Sequence, residues 1–357
     1  MSHRVTLAGG RLELTLPIVL SPMAGVSTPA LAAAVSNAGG LGSLGVGASS
    51  AQAAAQALAD TRALTKGPVN LNVFCHQPAR RDDAVEQAWL ARLAAEFRRY
   101  GGEPPQAVAE IYRSFVADDD MLALFLRERP EVVSFHFGLP PSDRIAALKQ
   151  AGIVLLASAT SVSEARALEA AGIDVVVAQG YEAGGHRGVF DPDMSDERLG
   201  TLALTRLLVR ELSVPVIAAG GIMDGAGIAA ALALGAAAAQ LGTAFIGCPE
   251  SQADRHYRAA LASSSAYHTV VTRVISGRPA RCLANRFTAW GADVAAMDVP
   301  AYPVTYDAGK ALHAAAKLAD EWGFGAWWAG QGAPLSRALP APELTGILAA
   351  ELRKARS

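Results

Sequence analysis

The chain has 357 residues, 51% hydrophobic and 18% charged, with a formal net charge of -2. That composition excludes a disordered chain and supports a large buried core, and the absence of a basic stripe argues against a nucleic-acid partner. No apolar run free of glycine and polar breaks is long enough to span a bilayer, and three distant cysteines, Cys75, Cys248 and Cys282, form neither a disulfide framework nor a metal-ligand spacing.

The N-terminus, MSHRVTLAGGRLELTL, lacks the apolar core and cleavage site of a signal peptide, so a cytoplasmic protein with reduced thiols is expected. From there one unit recurs: an alanine-rich helical stretch, a glycine that ends it, then a short β-branched run. Strands are predicted over 17–23, 41–46, 69–75, 131–137, 153–159, 174–179, 214–219 and 238–245. The runs are short and do not alternate, as in strands covered on both faces. Helices are predicted over 28–38, 49–64, 141–151, 161–171, 201–212 and 224–234. Ser161 and Glu164 have the spacing of a capping box at the start of the fourth, 161–171. Eight such units predict an α/β protein with a (β/α)8 (TIM) barrel fold. A doubly wound open sheet is the alternative, though it usually has fewer strands.

Two regions exceed a minimal barrel. Residues 76–130 contain WLARLAAEFRRYG and MLALFLRERP and are expected to be a helical insertion or an elongated third unit. Residues 248–357 are expected to be a helical cap on a barrel domain spanning 1–247.

In such barrels the site lies at the C-terminal ends of the strands. Polar and glycine residues gather there: SPMAG (21–25), NLNVFCHQP (70–78), SFHFGLP (134–140), AQGYEAGGHRG (178–188), AAGGI (218–222) and QLGTAF (240–245). The glycine turns after strands seven and eight, with the helix that follows strand seven, suit a phosphate. The other strand ends offer amides and apolar groups, among them Met23, Asn72, Gln179 and Gly184, and few carboxylates. A large flat ring with a hydrogen-bonding edge suits that lining better than a sugar, which makes FMN the natural candidate.

The ordered set of these motifs resembles the nitronate monooxygenases. So do PIVLSPMAGVSTPALAAAVSNAGGLGSLGVG (17–47), YPVTYDAGK (302–310) and WWAGQGA (327–333), the last two in the manner of class I. The resemblance implies FMN-dependent oxidation of alkyl nitronates by O₂, with propionate 3-nitronate as the physiological substrate and a carbonyl compound and nitrite as products. It implies FMN contacts at Met23, Asn72, Gln179, Gly184, Gly221, Gln240, Leu241, Gly242 and Thr243; Gly185 and Gly220 join them as bare backbone beside the ring and the phosphate. The family's active-site histidine falls on His186, a candidate to stabilise nitro oxygens or to act as a base. His136, at the end of strand four, is a further pocket candidate, and His76 is expected at the edge at best. Tyr302, Tyr306 and Lys310 would share one helix face at the pocket mouth. Trp327 and Trp328 are expected in the core of the cap, and Glu182 and Arg187 receive no role. Two rivals are an FMN barrel reductase using NAD(P)H, and a flavin-free lyase or isomerase of a phosphorylated metabolite. No metal is expected, and a homodimer is left open.

Overall fold

The eight apolar runs form eight parallel strands: β1 (Ile18–Leu20), β2 (Gly42–Gly45), β3 (Val69–Phe74), β4 (Val132–His136), β5 (Val154–Ala159), β6 (Val175–Gln179), β7 (Val216–Ala219) and β8 (Ala238–Leu241). The structure, a computed structural model, describes residues 4–357. Consecutive strands pair in parallel from β2 to β8, and β8 pairs with β1. A parallel bridge between Val19 and Leu41 closes the ring, with the Leu20 amide donating to the Leu41 carbonyl at 2.9 Å. The fold is a closed (β/α)8 barrel.

Successive residues of a strand point to opposite faces, so every second residue enters the barrel. Going up β4, β5 and β6, the inward residues change from apolar to polar. On β4 they run Val132, Ser134, His136, and on β5 Val154, Leu156, Ser158. On β6 they are Val175, Val177 and Gln179. The lower, apolar layer packs against Leu7, Leu12 and Leu14 of an antiparallel hairpin (Val5–Leu7 with Leu12–Leu14) that plugs the N-terminal end. The upper, polar layer is left for chemistry.

The expected boundaries change in four places. Strand eight stops at Leu241, and Thr243–Ile246 is a short helical turn, because Gly242 breaks the extended run. Within 76–130, the helix Asp119–Glu128 buries Met121, Leu124 and Phe125 in the barrel's outer core, so it is the barrel's third helix. The insertion proper contains the helix Asp83–Arg99, which packs Trp89, Leu93 and Phe97 against Val304, Ala308 and Leu312 of the tail. The tail is not all cap: helix Ala341–Ala355 buries Leu344, Leu348 and Leu352 in the barrel's outer core beside helix Gly225–Ala233 and serves as the eighth barrel helix. Between β8 and that helix the tail also contains a hairpin, Thr269–Thr272 with Ala280–Leu283, besides its helices.

Ser161 caps its helix by accepting from the Glu164 amide at 3.2 Å. Glu164 does not return to Ser161. It accepts from the Thr160 amide and hydroxyl at 2.6 and 2.7 Å and from the Phe190 amide at 2.8 Å, so it ties helix, strand end and active-site loop together. Among the described residues no helix is long and apolar enough to cross a membrane.

Candidate active site

The polar strand tips open into one cavity of about 640 Å³ at the C-terminal end of the barrel, a size suited to a cofactor with a small substrate. One end is formed by Gly220 and Gly221 after β7 and by Gly242 and Thr243 after β8. Gly220 and Gly221 have φ of 128° and 69°, conformations open to glycine and strained for other residues. The helix after β7 does not face a ligand with free amides, as the sequence suggested. Asp224 accepts from its Gly227 amide at 2.8 Å and Glu351 from its Gly225 amide at 2.9 Å, so two carboxylates already fill that terminus. What this end offers an anion is the two glycine turns and the Thr243 hydroxyl, which accepts from the Gly330 amide at 3.0 Å.

The middle of the cavity is lined by Met23, Asn72, Gln179 and Gln240. Asn72 uses its amide nitrogen on the Ser134 carbonyl and hydroxyl, at 3.1 and 2.9 Å. Its carbonyl oxygen is therefore the group left for a ligand. Gln179 donates to the His186 carbonyl at 2.9 Å and accepts from the Gly188 amide at 2.7 Å, retaining one N–H. The lining thus offers a free acceptor on Asn72 and a free donor on Gln179. Leu241 does not line the cavity: next to inward Gln240 it points outward and is buried between barrel and helices.

Beyond Gln179 the chain leaves the barrel and returns as a short strand, Gly185–His186, paired with Ala280–Arg281 of the tail hairpin. Arg187, whose carboxylate partner is Asp196 at 2.8 Å, also donates to the Gln179 carbonyl. Glu182 holds the start of helix Thr201–Glu211 by accepting from the Thr201 amide and hydroxyl. Both residues thus brace the loop. Gly184 lines the cavity and is also pressed against the tail: a Cβ there would lie 2.5 Å from the Gly330 amide nitrogen and 2.6 Å from the Ala329 carbonyl carbon.

His186 is half-buried at the cavity wall, its Nε2 2.9 Å from the Ser276 hydroxyl. Around it stand Trp328, Tyr302, Phe137 and Tyr306, with ring centroids at 5.0, 5.5, 5.6 and 6.2 Å. His136 also lines the cavity, held between the Ser158 hydroxyl at 3.0 Å and the His186 carbonyl at 3.2 Å. Tyr306 and Lys310 lie on helix Val304–Leu318, whereas Tyr302 precedes its first turn; all three reach the cavity. The Lys310 ammonium sits 4.9 Å from the Tyr112 ring centre and 5.3 Å from that of Tyr306. Trp328 lines the pocket instead of the cap core. Tyr112, from the insertion, and Tyr257, from the tail, also line it. No local pattern marks these three in the sequence, because insertion and tail are brought to the site only by folding.

The imidazoles are held neutral. Burial, followed by the charges of His136 and Arg278, lowers the pKa of His186 to about 3. Burial and the Arg278 charge lower His136 and His76 to about 4. The unfolded chain takes up these protons near pH 6.5, the native chain only near 4 or below, so stability falls with pH through that window. The expected loss is up to about 1.4 kcal/mol per pH unit for each buried histidine. Thermal midpoints recorded across this range should decline, and His76→Gln should flatten the slope. An unchanged slope in the variant would exclude His76 from the effect.

Fold and site together define a (β/α)8-barrel oxidoreductase with a cofactor-sized cavity and a neutral imidazole at its wall. The nitronate monooxygenase family model matches residues 10–351, and the chain belongs to that family, whose members are in general flavin-dependent. It is similar to the nitronate monooxygenase of Paraburkholderia phytofirmans, 63% identical over 96% of this chain and 94% of that one. It is similar to a solved nitroalkane oxidase from Streptomyces ansochromogenes, with 43% identity, a TM-score of 0.89 and coverage of 96% and 97%. FabK of Thermotoga maritima shares the fold at 30% identity and a TM-score of 0.73, covering 96% of this chain and 94% of its own. The chain is an enzyme of nitronate oxidation.

Proposed function

We propose that the chain uses FMN and O₂ to convert alkyl nitronates, propionate 3-nitronate among them, to a carbonyl compound and nitrite. The observation that carries this reading is the neutral His186 edge beside phenols and an ammonium over one cavity. In that reading the glycine turns at Gly220–Gly221 and Gly242–Thr243 take the phosphate, and Asn72 and Gln179 take the imide edge. Bound FMN supplies the electron acceptor that these side chains lack.

The substrate is already deprotonated, so no group has to remove a proton from carbon. With His186 neutral, its contribution is a hydrogen bond. When the Ser276 hydroxyl donates to Nε2, Nδ1 carries the proton and can donate to a nitro oxygen; when Ser276 donates to the Arg278 carbonyl, 3.3 Å away, Nδ1 is bare and can accept. A nitronate selects the first tautomer and a neutral nitroalkane the second. The Tyr302 hydroxyl is buried without a partner, and burial raises its pKa, which keeps it a donor for a substrate oxygen. Lys310 supplies positive charge at the mouth.

Nitrite release from propionate 3-nitronate under air tests this reading. Oxygen-dependent turnover is expected, with no flavin bleaching when NADH is mixed in anaerobically. Rapid bleaching by NADH without nitrite release would instead make the enzyme a reductase.

A further inference from the structure

Arg278 is a buried charge with no counterion. It is 3% exposed and forms no ion pair among the described residues. Its guanidinium donates to the Val189 and Phe190 carbonyls, while Nε is buried without a partner. It lies 4.3 Å from the centre of the Phe137 ring. Phe137 is a second anomaly: a bulky residue with φ of 75°, in the left-handed region, and 2% exposed. Such strain persists only where the surroundings enforce it. The other face and edges of that ring meet His136, Tyr302 and His186 at centroid distances of 4.5, 5.3 and 5.6 Å. Guanidinium, strained ring and imidazoles form one packed cluster that reaches the cavity wall at His136 and His186.

An isolated buried cation is costly unless something compensates it. The acids that influence Arg278 are Asp191 and Asp193, and Asp193 already pairs with Arg273 at 3.3 Å. The side facing the cavity holds only neutral or positive groups: His76, His136, His186, Tyr302 and, at the mouth, Lys310. We propose that Arg278 is the fixed counter-charge of the anion bound beside His186, acting across Phe137 without touching it. Arg278 is then a positioning residue. It gives the pocket a preference for a nitronate over the neutral nitroalkane with the same skeleton, which the neutral imidazoles cannot provide. The inference rests on the proposed nitronate chemistry for its biological meaning, but not for its test.

Nitrate, a small planar unreactive anion, is the probe. It is titrated calorimetrically into the flavin-loaded enzyme, alongside neutral 2-nitropropane as the uncharged ligand. Arg278→Gln keeps an N–H for the carbonyls and removes the charge; Arg278→Lys keeps the charge. Arg278→Gln should bind nitrate about tenfold more weakly or worse, with 2-nitropropane affinity little changed, and Arg278→Lys should recover most of the loss. Wild-type nitrate affinity should stay level from about pH 5.5 to about pH 8.5, since arginine does not titrate there and a histidine would. Equal weakening of both ligands in Arg278→Gln, an unaltered nitrate affinity, or a wild-type affinity that falls as pH rises through the histidine range would each overturn the proposal; the last needs no variant to fold. Failure of the wild type to oxidise nitronates would overturn the functional reading alone.

Discussion

Replacing His186 with asparagine is expected to lower nitrite release from propionate 3-nitronate by about 100-fold or more, the scale of a positioned proton-bearing group, while the flavin stays bound. Asparagine fits the space and keeps an amide, but it cannot reproduce the link from Ser276 through a ring to the ligand. The cofactor contacts proposed at the far end of the cavity, Gly221 and Thr243, do not involve His186, so the visible flavin spectrum should persist. The Gln179 side chain bonds to the His186 backbone carbonyl, not to its ring, so the loop should keep its course in the variant. Neutral nitroalkanes should suffer more than nitronates, because only they need the bare Nδ1. Turnover equal to wild type on both would remove His186 from the chemistry.

Gly184→Ala should have the second largest effect. The new Cβ would stand 2.5 Å from the Gly330 nitrogen and 2.6 Å from the Ala329 carbonyl carbon, both backbone atoms that cannot rotate aside. Gly330 is itself tied to the barrel, since its amide donates to the Thr243 hydroxyl at 3.0 Å. Relief of the clash must push the active-site loop away from the tail, at about 1–3 kcal/mol by the scale of overpacking, and must disturb Thr243 at the phosphate end. The thermal midpoint and flavin affinity should fall together. Gly185→Ala is the contrast: the nearest atom, the Trp328 Cβ, is 3.9 Å away, but φ is 75°, so strain acts without collision. A Gly184→Ala protein as stable and as well loaded with flavin as wild type would mean that loop and tail do not meet as described.

The barrel was legible because its units repeat. Each glycine-terminated helix and β-branched run announces itself locally, and eight of them leave few architectures. The cavity floor was legible for a related reason: Gln179, Asn72 and the paired glycines stand at strand ends, where the fold puts its site. The outward course of the Leu241 side chain was not legible, because a run covered on both faces hides the inward–outward alternation that separates it from Gln240. The contact of Gly184 with the tail was not legible, because a sequence gives the need for a small residue but not which atoms require it. Tyr112, Tyr257, Trp328 and Arg278 come from segments with no strand-end address. They reach the site through packing between the insertion and the tail, in which Trp89 and Phe97 meet Leu312 and Ala308. Only the assembled core brings those distant stretches together.

The barrel's eighth helix, Ala341–Ala355, follows its strand by nearly a hundred residues of intervening chain. During synthesis, therefore, the outer wall beside helices Pro29–Asn37 and Gly225–Ala233 stays bare until those residues emerge from the ribosome. The ring of strands is complete in the chain by Leu241, yet its outer coat lacks a helix until the lid over the pocket has been made. Completion of the helical coat and roofing of the cavity thus become late, nearly simultaneous events in the birth of the molecule.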